Sequence, residues 1–561
     1  LSPEEKIEQA YHLLQSGKTP EAESIARELV EKHKGLDQAH FLLARILPAK
    51  GEVIEALAEA DKALELQPEN PEYLNLRGQL LASMGRFGGA RASYEKALDV
   101  APNYLNAAMG MGNLELLNSN PTKAVSIFEQ AYAHHQGHPH ILQGLINALI
   151  ASAQYDKALS VLPQLGQNPA MAFTAGRVFL GVGQRDQALS AFQQALAVPE
   201  TTGPALKQFI NIIRMDVDDE KATQTLQQIL TQNPQHQSLQ WEAAGIFLEL
   251  GRADLAFAAL DNQDKLVGAH PFTDFMRASL LTETGEGEKA FPLIEKVMQS
   301  KAASPAMLRT FANAALMAGK PEAALKAAQT ALPRNPSDQY WIAIFANALR
   351  ALGKDYQSIL DYEALVRVYD IDAPAEYDSL PEFMSALNEA LDQLHSRNYR
   401  PIGQSAKDGT QTSFDLRFAP NRVIQDFFQS MEYPIMDYLK AVGQDQDHPL
   451  LRHNKGGYRL SEAWSVRQMG GGAHKNHLHN NSWLSATFFV DVPKKVSSEK
   501  TKKGWLKFGE PPFTAPGLEA EHFVAPKIGR LVLFPSYMWH GTVEFPKNQS
   551  RLSLSFNILP G

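Results

Sequence analysis

The chain has 561 residues, with 62 acidic side chains against 53 Lys and Arg and a formal charge of −9, too long for one ordinary core and too acidic for a generic binder of nucleic-acid backbone. Hydrophobic residues at 44% and charged residues at 20% exclude a wholly disordered or collagen-like chain. With no cysteine, disulfides, thiolate zinc sites, iron–sulfur clusters and a Cys nucleophile are excluded, so a metal would need His and oxygen ligands.

The opening stretch Leu1 to Lys6 is charged, and no apolar run reaches about 18 residues, so no membrane span is expected. The cytoplasm is the default compartment; a periplasmic location stays open because the sequence does not begin with Met.

From the N-terminus, alanine recurs every 34 residues at Ala22, Ala56, Ala90, Ala124 and Ala158. After a step of 30 residues it resumes at Ala188, Ala222, Ala256, Ala290 and Ala324, with Ser358 one step further. Five residues before these anchors stand Gly17, Gly51, Gly85, Ser119, Ala153, Gly183, Val217, Gly251, Gly285, Gly319 and Gly353. Glycine ends a first helix in the left-handed conformation, and the small anchor lets a second helix pack closely against it. Proline at Pro68 and Pro102 punctuates the end of the second helix.

The pattern resembles tetratricopeptide repeats, about eleven units over residues 1–366. An α-solenoid presents a long concave surface, and the resemblance implies that it holds a protein or peptide partner. The histidines from His134 to His140 fall at a repeat junction rich in Gly and Pro and read as solvated loop residues.

Beyond Tyr369 the repeat phase stops. Residues 367–399 read as a helical linker, with a helix near Leu380 to Leu394. From residue 400 to 561 short alternating segments suit strands: Trp464–Met469, Trp483–Val490, Gly504–Phe508, Arg530–Phe534 and Arg551–Phe556. Their spacing suggests a sandwich or double-stranded β-helix. The fold class expected is therefore multidomain, an all-α solenoid followed by a mainly-β jelly-roll.

Gly470, Gly471 and Gly472 lead into His474, His477 and His479, and no Lys-Ser/Thr follows to suggest a phosphate loop. If residues 477–479 are extended, His477 and His479 share a face and can converge on one ion, with His540 arriving from a distant strand. Arg551 and Ser553 share one face of a strand whose other face is Leu552, Leu554 and Phe556. An inward guanidinium calls for an anion, and an anionic co-substrate would suit it. The lysines from Lys494 and Lys495 to Lys503 read as a solvated hairpin.

Asp408 to Thr412, Trp464 to Val466, His474 to Ser485, Gly504 to Pro512, Leu533 to His540 and Arg551 to Ser553 together resemble a bacterial, prolyl-hydroxylase-like branch of the Fe(II)/2-oxoglutarate-dependent dioxygenases, a group often fused to tetratricopeptide arrays. The resemblance implies Fe(II) held by His477 and His540. It also implies 2-oxoglutarate with its far carboxylate on Arg551 and Ser553, and hydroxylation coupled to conversion of that co-substrate to succinate and carbon dioxide.

The sequence departs from the family pattern at His479, where a 2-His-1-carboxylate triad has Asp or Glu. Three arrangements stay open: a three-histidine site of His477, His479 and His540, a two-histidine site with His479 behind it, or His474 in place of one ligand. The function expected is a hydroxylase acting on a protein or peptide. The alternatives are a hydroxylase of small or carrier-bound metabolites and a non-catalytic scaffold with a degenerate oxygenase domain.

Overall fold

The computed structural model describes residues 1–166, 169–216, 219–299, 304–395, 409–412, 414–470, 473–493, 499–544 and 549–561. Of the positions discussed above, Val217, Asp408, Gly471, Gly472, Lys494 and Lys495 lie outside the described residues. The chain forms two compact units, Leu1–Gly183 and Gln184–Gly561.

Among the described residues, five consecutive helix pairs run from Pro3–Gln15 with Thr19–Lys32 to Pro139–Ala151 with Tyr155–Val161 in the first unit, which ends on the helix Ala172–Gly181. The second unit opens on the helix Arg185–Ala195 and continues with four pairs from Thr202–Asp216 with Asp219–Gln232 to Pro305–Met317 with Pro321–Ala331. The small-residue phase explains them. All ten alanine anchors from Ala22 to Ala324 have no exposed surface. Every described turn position of the glycine series has positive φ, including Ser119 at 57° and Ala153 at 56°. Aromatic rings on second helices fill the space that glycines leave on first helices. A Cβ at Gly78 or Gly110 would meet the Tyr94 ring at 2.6 Å, and one at Gly112 or Gly144 would meet Phe128 at 2.5 Å.

The eleventh unit has its first helix, Gln339–Ala351, and the left-handed turn at Gly353, but turns replace a second helix around Ser358. Its packing partner is the β-region: Ile342, Ala346, Leu360, Leu365 and Val366 join one apolar core with Phe488, Leu531 and Phe534. Residues 367–399, expected as a helical linker, contain a strand paired into a sheet and the helix Leu380–Asp392, whose Phe383, Leu387 and Leu391 enter that same core.

Among the described residues, nine strands build the second half of the larger unit: β1 Arg367–Asp370, β2 Gly409–Gln411, β3 Tyr458–Met469, β4 Leu484–Asp491, β5 Leu506–Phe508, β6 His522–Val524, β7 Arg530–Pro535, β8 His540–Thr542 and β9 Ser550–Pro560. They form a six-stranded antiparallel sheet in the order β1-β7-β4-β9-β3-β2 and a three-stranded sheet in the order β6-β5-β8. Residues of both sheets line one cavity, the arrangement of a double-stranded β-helix. The edge strand β1 is held by Asp370, which pairs with Arg530 at 2.8 Å and Lys527 at 2.6 Å.

Strand β9 shows why the sequence folds this way. Leu552, Leu554, Phe556 and Ile558 face the helices Leu380–Asp392, Arg422–Ser430 and Glu432–Val442, in a core that includes Phe427 and Tyr438. Each such side chain, fully buried, contributes roughly 1.5–3 kcal/mol. The alternate residues Arg551, Ser553 and Ser555 face the cavity. A one-residue slip in register would exchange the two sets, so pairing is strongly fixed. No helix among the described residues is long and apolar enough to cross a membrane.

Candidate metal and co-substrate site

The imidazoles meet because two backbone segments pair where they carry them. His477 and His540 form an antiparallel bridge, N–H to carbonyl at 2.9 and 3.0 Å in the two directions. Such a pair sets adjacent side chains on one face, and the ring centroids lie 4.3 Å apart. His479, two residues on, places its ring 5.2 Å from both. The ligand nitrogens of His477, His479 and His540 all lie within 4.8 Å of one another, and no other group of three His, Asp or Glu among the described residues is gathered to hold an ion.

The protonation pattern follows from the hydrogen bonds. A carbonyl can only accept, so Nδ1 of His477 donates to the Lys475 oxygen at 2.8 Å and Nδ1 of His540 to the Met538 oxygen at 3.0 Å. That leaves Nε2 of each neutral ring as the lone-pair nitrogen. Burial lowers the pKa of His477, and lowers that of His540 well below the ordinary value with His477 and His479 adding to the effect. His479 falls to about 3, mainly through burial and then through His477. Neutral imidazoles are the form that ligates metals. The indole of Trp464 stacks on His479 at 5.4 Å and 20°.

His474 lies to one side. Its ring is 6.1 Å from His477, its N–H donates to Thr542 Oγ1 at 2.8 Å, and its pKa is well lowered by burial and then by the charge of Arg551. It lines the same cavity as the three-ring cluster and that guanidinium.

Arg551 and Ser553 are buried in the same cavity wall, 2% and 3% exposed. Arg551 donates from Nη1 to the Gly504 carbonyl at 2.9 Å and from Nη2 to Gln468 Oε1 at 2.6 Å, and its cation lies 5.6 Å from the Phe489 ring centroid. Burial pulls its pKa down to about 10, so it remains a cation at neutral pH. Trp464, Phe489, Leu506 and Phe534 supply the apolar lining of the cavity.

Gln468, Trp464, Thr542 and Ser555 complete this site, and none was singled out from sequence as a site residue. Trp464 and Gln468 could have been found by counting alternate positions of β3, and Ser555 by continuing the Arg551–Ser553 face along β9. Thr542 carries no such signal, because β8 has only three residues.

Repeat helices of the larger unit abut this site. Trp539, next to His540, packs edge-on against Tyr340 at 6.4 Å. Arg350 donates to the Gly509 and Glu519 carbonyls at 3.0 and 2.7 Å, and Lys475 lies 3.9 Å from Glu249, the last residue of helix Gln237–Glu249.

Comparison with known proteins accords with this division. The family described as "Putative 2OG-Fe(II) oxygenase" matches residues 462–557, and tetratricopeptide families match residues 13–80, 75–139 and 115–172. Among curated proteins, the human protein O-mannosyl-transferase TMTC1 is 28% identical over 119 residues, 20% of this chain and 14% of its own length. Subunit 7 of the anaphase-promoting complex of Arabidopsis thaliana is 31% identical over 21% of this chain and 22% of its own length. The chain thus spans under a quarter of either relative.

The repeat protein YpiA of Bacillus subtilis is 21% identical over 51% of this chain and 68% of its own length. Of solved structures, Pseudomonas aeruginosa PilF covers 35% of this chain and 91% of its own at 23% identity and a TM-score of 0.32. YrrB, a tetratricopeptide protein with an unusual peptide-binding site, covers 31% and 91% at 22% identity and a TM-score of 0.27.

Proposed function

We propose that this chain, which carries tetratricopeptide repeats and an oxygenase-type segment, is an Fe(II)- and 2-oxoglutarate-dependent oxygenase that hydroxylates a protein or peptide recruited by the repeats. One observation carries the reading: three neutral imidazoles with ligand nitrogens within 4.8 Å of one another share a cavity with a buried guanidinium. The donor set fits a ferrous ion held by His477, His479 and His540, since a borderline divalent metal takes imidazole readily.

Three neutral ligands leave the ion's two positive charges uncompensated by protein, which favours a dianionic co-substrate in a medium of low dielectric. Arg551 and Ser553 would bind the far carboxylate of 2-oxoglutarate. Iron, oxygen and 2-oxoglutarate together supply an oxidant that inserts one oxygen atom into a C–H bond while the other leaves in succinate with release of carbon dioxide. The chain's own part is to hold the diacid, to orient it between Arg551 and the imidazoles, and to keep bulk water out with Trp464, Phe489, Leu506 and Phe534.

A macromolecular substrate is supported by the repeat helices beside the site, at Lys475 with Glu249 and at Trp539 with Tyr340. The test is succinate formation by the full chain with Fe(II), ascorbate and 2-oxoglutarate, beside His540→Ala and Arg551→Ala. His540→Ala should lose iron binding and turnover together, and Arg551→Ala should need far more 2-oxoglutarate for the same rate. Wild-type behaviour in both would remove this assignment, and a chain that binds neither iron nor 2-oxoglutarate would be the non-catalytic scaffold.

A further inference from the structure

Gln468 is the penultimate residue of β3 and is 1% exposed. Its register partner on β9 is Arg551, and the next pairs along the ladder are Val466 with Ser553 and Trp464 with Ser555. Directly opposed residues of an antiparallel ladder share a face. Trp464, Ser553, Ser555 and Arg551 all line the cavity, so Gln468 stands on the cavity side of the sheet at its Arg551 end.

The hydrogen bond fixes which way the amide points. A guanidinium has donors and no acceptor, so the contact of 2.6 Å from Arg551 Nη2 must fall on the oxygen of Gln468. The Nε2 amide, with two N–H groups, is thereby turned away from Arg551. It is buried and has no acceptor among the described residues. A buried donor left unmade keeps its desolvation penalty without compensation, and such groups in a folded chain call for an explanation. Here the group sits beside the cation of a cavity built to take an anion.

We infer that Gln468 Nε2 and Arg551 form one two-armed grip on the far carboxylate of a dicarboxylic 2-oxo acid, so that Gln468 selects a diacid over a mono-acid. The inference rests on the reading of the cavity as a 2-oxoglutarate site. A neutral amide suits the position because it orients the guanidinium through its oxygen without cancelling its charge. Glutamate at 468 would neutralise Arg551 and repel the ligand, whereas methionine would keep the volume and remove the donor.

The test is calorimetric binding of 2-oxoglutarate and of pyruvate, which lacks the far carboxylate, to the full chain loaded with Fe(II) without oxygen. Gln468→Met should weaken 2-oxoglutarate about tenfold, the value of one hydrogen bond to a charged group. Gln468→Glu should weaken it about a hundredfold, because a buried like charge adds to the lost donor. Pyruvate and Fe(II) affinities should stay within about twofold, as neither ligand reaches this end of the cavity.

The ratio of diacid to mono-acid affinity is the quantity that decides, and the near-isosteric Gln468→Met carries the test if the Glu variant does not fold. An unchanged ratio in Gln468→Met while Arg551→Met lowers it would overturn the role of Gln468. An unchanged ratio in Arg551→Met as well would remove the co-substrate reading itself.

Discussion

Two buried charges, one in each unit, are handled in opposite ways. Glu115, in the helix Leu105–Leu117, has no exposed surface. Burial alone pushes its pKa up, but Asn120, Arg91 and Lys123 reverse this and leave it below the usual carboxylate value. Arg91 reaches both carboxylate oxygens, at 2.9 and 3.1 Å. Arg551 is held by the neutral oxygens of Gln468 and Gly504, and burial lowers its pKa to about 10. In the repeats a buried charge is bound into the structure by opposite charge, while Arg551 stands in a cavity wall where burial opposes its charge, the place that the proposed co-substrate site requires.

That contrast predicts effects of opposite kind. Glu115→Ala removes the buried member of the network and leaves Arg91 and Lys123 to solvent, 34% and 51% exposed, and should cost about 1.5–3 kcal/mol in chemical unfolding of the smaller unit, the range for lost hydrogen bonds to a charged group. Arg551→Met removes the desolvation cost of a buried cation but strands the Gly504 and Gln468 acceptors, so the two effects should roughly offset and leave stability little changed, while 2-oxoglutarate binding collapses. Equal destabilisation by both would erase the distinction between them.

A second test concerns packing, where the repeats leave no slack. Phe128 is gripped between Gly112 and Gly144, each of which would bring a Cβ to 2.5 Å from its ring. Gly112→Ala gains up to about 1 kcal/mol of helix propensity but overpacks a ring that cannot retreat from Gly144, so a net loss of about 1–3 kcal/mol is expected by thermal unfolding. The same change at Gly88, where nothing lies within 4 Å, should be neutral or stabilising.

In the β-region, acid sensitivity should arise from buried neutral histidine. His395 bonds Thr410 Oγ1 at 2.9 Å and Ser465 Oγ at 2.7 Å, and its pKa falls from 6.5 to about 4, chiefly through burial and then through Arg467. The unfolded chain takes up a proton as pH falls through 6.5 that the folded chain refuses until about 4. Stability should therefore drop across that window by on the order of 2 kcal/mol, discounted for partial exposure. His395→Gln should flatten that part of the denaturant-midpoint against pH curve, and an unchanged slope would show that other groups dominate.

The two regions also differ in how much of each could be read from sequence. In the repeats one rule recurs, so the alanine and glycine phases located every helix pair, and even Ser119 and Ala153 kept the left-handed turn. The rule fails where repetition ends: Ser358 keeps the phase, but a second helix there gives way to packing against the β-region. In the β-region, strand alternation placed Arg551 and Ser553 on the cavity face, and His477, His479 and His540 came together as their spacing suggested.

Strands β1, β2, β6 and β8, of three or four residues each, carry no alternation long enough to see, and the helices Arg422–Ser430 and Glu432–Val442 precede the first expected strand, inside the stretch expected to be mainly β. Counting along β3 places Gln468 on the cavity face, but its contact with Arg551, 83 residues away in sequence, is encoded by no local pattern.

The smallest effect bears on the rule that made the repeats legible. Ala153 has φ 56° at a turn where neighbouring repeats use glycine, as Gly85 does with φ 71°. A left-handed residue with a Cβ costs roughly 1–2 kcal/mol, against which glycine loses about 0.5–1 kcal/mol through its freer unfolded state. Ala153→Gly should therefore stabilise the smaller unit by about 0.5 kcal/mol, and Gly85→Ala should destabilise it by a similar amount, since an added Cβ at Gly85 meets nothing within 4 Å and only backbone strain is at work. Both changes read in the same unfolding experiment give one strain energy twice with opposite sign. If the two differ in magnitude severalfold, the turn at Ala153 is held by its surroundings rather than tolerated by its backbone, and the glycine series is then a record of packing at each junction instead of a common conformational demand.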